Sequence, residues 1–249
     1  MEIKNTVIDN LSIRYLEINN NASRHLLFLP GWGGSLETWQ EFLTKFIGAP
    51  IDVLALDLPG FGQSAKPAAA WDLENYTKFL KNAVDYFKLD HFYLFGHSFG
   101  GQVAVNFAYH YPDRLIGLFL SGAAALRPKA PALKRLIILA AKFFKNILPP
   151  PIKTMIYRAL GSDYGKLDDP IMKRIFQNVI KHDLRHLLKY LRVKTIIIWG
   201  RQDNFTPLWQ GQLIHGLIGN SQLVVLENIG HSPQLQSPDE LYQIISNNL

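Results

Sequence analysis

The chain has 249 residues, 48% of them hydrophobic and 18% charged, enough apolar material for one large α/β domain or a domain with a sizeable insertion. It has no cysteine, which excludes disulfides, thiolate metal sites and a cysteine nucleophile together. The formal charge of +6 is uneven: residues 123–190 carry 14 Lys or Arg against 4 Asp or Glu, and the rest of the chain carries 12 against 16, so the two parts read as separate structural layers.

The first stretch, MEIKNTVIDNLSIRYLEINN, alternates apolar and polar residues over 2–8 and 11–18, the pattern of an antiparallel hairpin. It has no apolar signal-peptide core, and the run LIILAA at 136–141 is far too short to span a bilayer, so a cytoplasmic protein is expected. Short apolar runs follow at 25–30, 51–57, 92–96, 115–121, 195–200 and 222–227, as strands buried on both faces require. Helix-length segments lie at 35–47, 72–88, 99–110, 207–217 and 238–248. The expected fold is α/β, a mostly parallel eight-stranded sheet with helices on both faces. The connection from LFLSG to TIIIWG is too long for a crossover. Residues 123–190 are therefore expected to form a helical cap inserted before the strand at 195–199, with 1–122 and 191–249 as the core.

In open α/β sheets, ligands bind beyond the carboxyl ends of the strands. The segment GHSFG at 96–100 sits at such an end, between a strand and a helix. Its G-x-S-x-G spacing lets Ser98 occupy a strained turn where larger neighbours would collide, with the next N–H groups at a helix N-terminus. Read alone, the serine is also compatible with a simple helix cap. WGRQDNFTP at 199–207 places Asp203 just after a strand, and NIGHSPQ at 228–234 places His231 after the last one. The order Ser98, Asp203, His231 is that of a hydrolytic triad on this type of sheet. LPGWGGS at 29–35 and DLPGFGQS at 57–64 follow the first two parallel strands.

With these four motifs in order, the chain resembles the α/β-hydrolase fold superfamily nearly end to end outside the cap. Its core is similar to small capped serine esterases and carboxylesterases of the pimeloyl-ester-hydrolase kind. The resemblance implies Ser98 as nucleophile, His231 as base and Asp203 as its partner. It also implies an oxyanion hole from the backbone N–H groups of Trp32 and Phe99. Gly31, His97 and Phe144 are expected to line the substrate pocket. The chain departs from the family pattern at Pro30, where a histidine usually precedes the glycine, and Asp57 is expected to be structural. No acid follows the strand at 115–121, where some members carry theirs. A serine at the elbow argues for hydrolysis of carboxylic esters with short to medium acyl groups, or of lactones or thioesters, through an acyl-enzyme. Amide hydrolysis of the proline-iminopeptidase kind, carbon–carbon bond hydrolysis and a non-catalytic ligand-binding sensor remain open, because the core motifs do not separate them.

No cofactor or metal is expected; His182 and His186 lie one helical turn apart, a pair that is not read as a metal site. Within 132–148, Leu133, Ile137, Ala140, Phe144 and Leu148 share one helical stripe, with Lys134, Arg135, Lys142 and Lys145 tending to the other side. The expected partner is a small-molecule ester. The basic cap further suggests weak contact with anionic membranes. No nucleic-acid motif accompanies the charge, and the protein is expected as a monomer or homodimer.

Overall fold

The computed structural model describes residues 1–127 and 168–249, so Phe144 and the helix expected at 132–148 lie outside the described residues. Eight strands form one sheet: β1 Glu2–Ile8, β2 Leu11–Ile18, β3 His25–Leu29, β4 Asp52–Leu56, β5 Phe92–His97, β6 Leu115–Ser121, β7 Thr195–Gly200 and β8 Ser221–Leu226. Their spatial order is β1-β2-β4-β3-β5-β6-β7-β8. β2 is antiparallel to both β1 and β4, and all other neighbours are parallel, as the α/β expectation required.

Apolar runs without polar alternation make these strands because successive side chains enter two different cores. Leu27 and Leu29 of β3, Leu94 of β5 and Ile197 and Trp199 of β7 pack on one face. Leu26 and Phe28, Tyr93 and Phe95, and Ile196 and Ile198 pack on the other. The described helices are α1 Gln40–Leu43, α2 Leu73–Tyr86, α3 Phe99–His110, α4 Pro170–Val179, α5 Arg185–Leu188, α6 Leu208–Leu217, α7 Pro233–Gln236 and α8 Pro238–Ser246. Helix α2 starts at a capping box, in which the Asp72 carboxylate accepts from Asn75 N and the Asn75 side chain accepts from Asp72 N. Such a cap contributes about 1 kcal/mol. Its buried stripe of Leu73, Tyr76, Phe79, Leu80 and Val84 joins the first core. Among the described residues no helix is long and apolar enough to cross a membrane.

The helix expected over 35–47 is instead three pieces: a 3-10 turn at Leu36–Thr38, the single turn α1, and a second 3-10 turn at Thr44–Phe46. Tertiary contacts override the helical periodicity. Trp39, Phe42 and Phe46 all turn their rings onto Phe28 of β3, at centroid distances of 5.9, 6.1 and 5.7 Å. At the same time the first N–H of the segment is claimed from outside, since Leu36 N donates to Asp57 Oδ1 at 2.7 Å.

Asp57 is fully buried at the end of β4 and accepts a second bond from Gln63 N at 3.0 Å. Arg14 of β2 stands with Nη1 3.6 Å from Asp57 Oδ2, the oxygen that accepts from Gln63 N, and also pairs with Glu37. Burial, the largest influence, pushes the Asp57 carboxyl above its usual range, with the two backbone donors and Arg14 pulling the other way. The carboxylate thus ties the loop after β3 to the loop after β4. Asp57→Ala strands two backbone donors and removes one of the two carboxylates beside Arg14. It is expected to lower unfolding free energy by about 2–4 kcal/mol in urea titrations, and a loss within experimental error would show that the loops hold each other without it.

Candidate active site

Ser98 sits between β5 and α3 with φ 51° and ψ −113°, a backbone conformation that a residue with a Cβ rarely adopts. Three backbone bonds hold it there: Ser98 N donates to Ser121 O at 2.9 Å, and Ala124 N and Gln102 N donate to Ser98 O at 2.9 and 3.1 Å. The flanking glycines allow the approach. A Cβ on Gly96 would meet Gly100 O at 2.6 Å, and one on Gly100 would meet Pro30 O at 2.5 Å. The loop after β3 crosses just beside the serine, for a Cβ on Gly31 would lie 3.1 Å from Ser98 Cβ. That loop turns through a Gly34 N to Gly31 O bond of 3.0 Å, with Gly33 at φ +69° in the third position, where glycine is favoured. Trp32 is the second residue of this turn, and Phe99 opens α3.

Asp203 and His231 come from the loops after β7 and β8. These loops touch because β7 ends in a glycine; a Cβ on Gly200 would strike the carbonyl oxygens of Ile229 and Gly230. His231 Nδ1 lies 2.6 Å from Asp203 Oδ2. With Nδ1–H donating to the carboxylate, Nε2 is left as the acceptor. Asp203 Oδ1 accepts from the N–H groups of Phe205 and Thr206, each at 2.8 Å. The Thr206 hydroxyl stands 2.9 Å from Asp203 Oδ2 and 3.1 Å from Gly122 O, either of which can accept its one hydrogen. Burial raises the Asp203 carboxyl, but the bond and charge of His231, with the Thr206 donors, outweigh it and hold the group below the usual carboxylate range. Gly122, at φ +51°, makes room for the pair; a Cβ there would lie 3.1 Å from His231 Nδ1 and 3.3 Å from Asp203 Oδ2.

Ser98, His231, Gly31, Trp32, His97 and Phe99 line one cavity of about 550 Å³. Phe176, Val179 and Ile180, from the end of α4 and just beyond it, complete one part of the wall. Trp32 meets the rings of Phe99 and Phe176 edge-on at 5.5 and 5.0 Å. Sequence reasoning missed Thr206, Gln210, Gln234, Phe176 and Arg127. Thr206 had a readable signal, since an Asp followed three residues later by Thr-Pro is a local acceptor for the intervening N–H groups. The others line the cavity only because distant elements meet there.

His97 is buried beneath the site. Its Nδ1 lies 3.1 Å from Ser121 O, and its ring lies 4.8 Å from that of His231 and 5.6 Å from that of Trp39. Desolvation, followed by the nearby His231, pushes its pKa down to about 3.

The chain matches the model of the alpha/beta hydrolase family over residues 26–244. It belongs to that family. Among curated relatives it is 27% identical to the dihydrolipoyllysine-residue acetyltransferase component of the acetoin cleaving system of Pseudomonas putida, covering 93% of this chain but only 65% of that protein. It is 24% identical to 2-hydroxy-6-oxononadienedioate/2-hydroxy-6-oxononatrienedioate hydrolase 1 of Pseudomonas putida, over 95% of this chain and 91% of the relative. Among solved structures, a membrane phospholipase A described as a bacterial virulence factor superposes with a TM-score of 0.77 at 26% identity, over 99% of this chain and 84% of that one. Its other structural neighbours include an esterase, a lipase and a meta-cleavage product hydrolase.

A histidine that stays neutral when folded but takes up a proton when unfolded destabilises the protein in acid, between about pH 3 and 6.5. From pH 7 to about pH 4.5 the wild type is expected to lose about 2 kcal/mol more unfolding free energy than His97→Asn. Parallel curves for the two proteins in urea titrations would show that His97 does not titrate on unfolding.

Proposed function

We propose that the protein is a serine hydrolase of carboxylic esters. The observation that carries this reading is the 2.6 Å bond between His231 Nδ1 and Asp203 Oδ2, with His231 lining the same cavity as a serine held at φ 51°. Ser98 Oγ attacks the ester carbonyl and passes its proton to His231 Nε2, while Asp203 stays ionised and holds Nδ1–H. The oxyanion faces the N–H groups of Trp32 and Phe99, each such donor being worth roughly 10²–10³ in rate. His231 then returns the proton to the departing alcohol, and water releases the acid from Ser98. Pro30 in place of the usual histidine leaves both donors in place, because they belong to the backbone.

The apolar wall of Trp32, Phe99, Phe176 and Val179 supports an acyl pocket for short to medium chains. The expected cap over 123–190 lies largely outside the described residues; its described end, residues 168–190, brings Phe176, Val179 and Ile180 to the cavity wall, which supports that reading. A second reading, hydrolysis of a carbon–carbon bond in a keto acid, is favoured by the relatives named for 2-hydroxy-6-oxo-dienoate substrates.

Hydrolysis of p-nitrophenyl esters from acetate to palmitate tests the proposal. Wild type is expected to peak at short or medium chains, and Ser98→Ala to lose about 10³-fold or more in kcat. A folded wild type that ignores every ester yet turns over a 2-hydroxy-6-oxo-dienoate would replace the first reading with the second.

A further inference from the structure

The hydroxyl of the buried Thr206 reaches groups from three different loops: Asp203 Oδ2 at 2.9 Å, Gly122 O at 3.1 Å and His231 Nδ1 at 3.3 Å. The residue is held there by contacts that do not involve the hydroxyl. Its backbone N–H donates to Asp203 Oδ1 at 2.8 Å, and its carbonyl accepts from the buried indole Nε1 of Trp199 at 2.6 Å. Pro207 comes next, and a residue before proline is kept out of the helical region. A β-branched side chain is in turn stiff at χ1. The backbone thus aims the oxygen, and a valine at 206 fills the same space without it.

The destination of the single hydroxyl hydrogen follows from counting lone pairs. Nδ1–H of His231 is directed at Asp203 Oδ2 at 2.6 Å, so Nδ1 has no lone pair to offer Thr206. Gly122 O and Asp203 Oδ2 remain. The carboxylate oxygen is nearer and charged, and a hydrogen bond to an ionised acceptor is roughly twice as strong as one to a neutral carbonyl. With that bond made, both oxygens of Asp203 are fully used. Oδ1 accepts from the N–H groups of Phe205 and Thr206, and Oδ2 accepts from His231 and the Thr206 hydroxyl. From this we infer that Thr206 is a positioning residue of the triad, whose hydroxyl shares Asp203 Oδ2 with His231, fixes the rotation of the carboxylate and weakens its hold on the imidazolium. This inference rests on the serine-hydrolase reading and adds to it a residue that acts through Asp203. Other groups also bear on His231. Asp203 and His97 face it, the latter with its ring at 4.8 Å, and Arg127 lines the same cavity. Trp32, Phe176, Gln210 and Gln234, from the other elements of the wall, bring no charge. A substitution at 206 leaves all of these in place.

The test is the pH dependence of kcat/KM for p-nitrophenyl hexanoate in wild type, Thr206→Val, Thr206→Ala and Thr206→Ser. Removing the hydroxyl leaves the carboxylate charge to His231 alone and favours its protonated form. The acid limb is therefore expected to move up by about half a pH unit or more in the valine and alanine variants, and to stay at the wild-type position in the serine variant. The position of a limb does not depend on how much protein is folded, and alanine supplies the reading if valine prevents folding. A hydroxyl bonded only to Gly122 O would be structural: its loss would lower the plateau and leave the limb where it is, which overturns the inference. The same shift is expected in an NMR titration of the His231 imidazole without any ester, its signal assigned by its absence from His231→Asn. If the folded wild type cleaves no ester, the ester reading falls, and the imidazole titration alone decides the role of Thr206.

Discussion

The site is organised around one backbone constraint, the left-handed turn at Ser98 that joins a fully buried strand to a helix. A residue with a Cβ in such a conformation costs of order 1–3 kcal/mol, and it persists only where its surroundings over-determine it. Here the surroundings are the neighbouring strand end, through Ser121 O and Ala124 N, and the carbonyls of the loop after β3 packed on Gly100. The strain has a chemical consequence. It lifts the hydroxyl off the sheet edge and leaves the first N–H groups of α3 beside it, at the positive end of the helix dipole. The loops that end β3, β6, β7 and β8 then only have to converge on a point that β5 has already set.

Three buried ionisable groups near that point are handled in three ways. Asp203 receives enough donors to remain charged despite burial. His97 is held neutral, because desolvation and the neighbouring His231 outweigh the bond to Ser121 O and the charge of Asp203. Asp57 is fully buried and answers with two backbone donors and a neighbouring guanidinium, which gives it a structural task. A single carboxylate facing a single imidazole, with the second imidazole neutral, keeps the charge of the site defined before any substrate enters.

The family's core machinery is shared by proteins named for quite different reactions, and the walls of the cavity carry the choice among them. In this chain one part of the wall is a cluster of aromatic edges, Trp32, Phe99 and Phe176. Another part carries buried amides.

Much of this could be read from the residues in order. Strands buried on both faces appear as unbroken apolar runs, and a nucleophile elbow needs its two glycines at fixed spacing, so the sheet and the positions of Ser98, Asp203 and His231 were all legible locally. What tertiary structure decided depends on groups far apart in the chain. The segment at 36–46 breaks into short turns because three aromatic rings must reach Phe28 while Leu36 N is taken by Asp57. Gly122 matters only because His231 and Asp203 arrive beside it from loops some 80 and more residues away. Whether a buried glutamine is satisfied, like Gln102, or left with an open bond, like Gln210 and Gln234, cannot be written in a local pattern. Hydrogen-bond satisfaction is a property of all the surrounding atoms at once, and only the folded chain brings those atoms together.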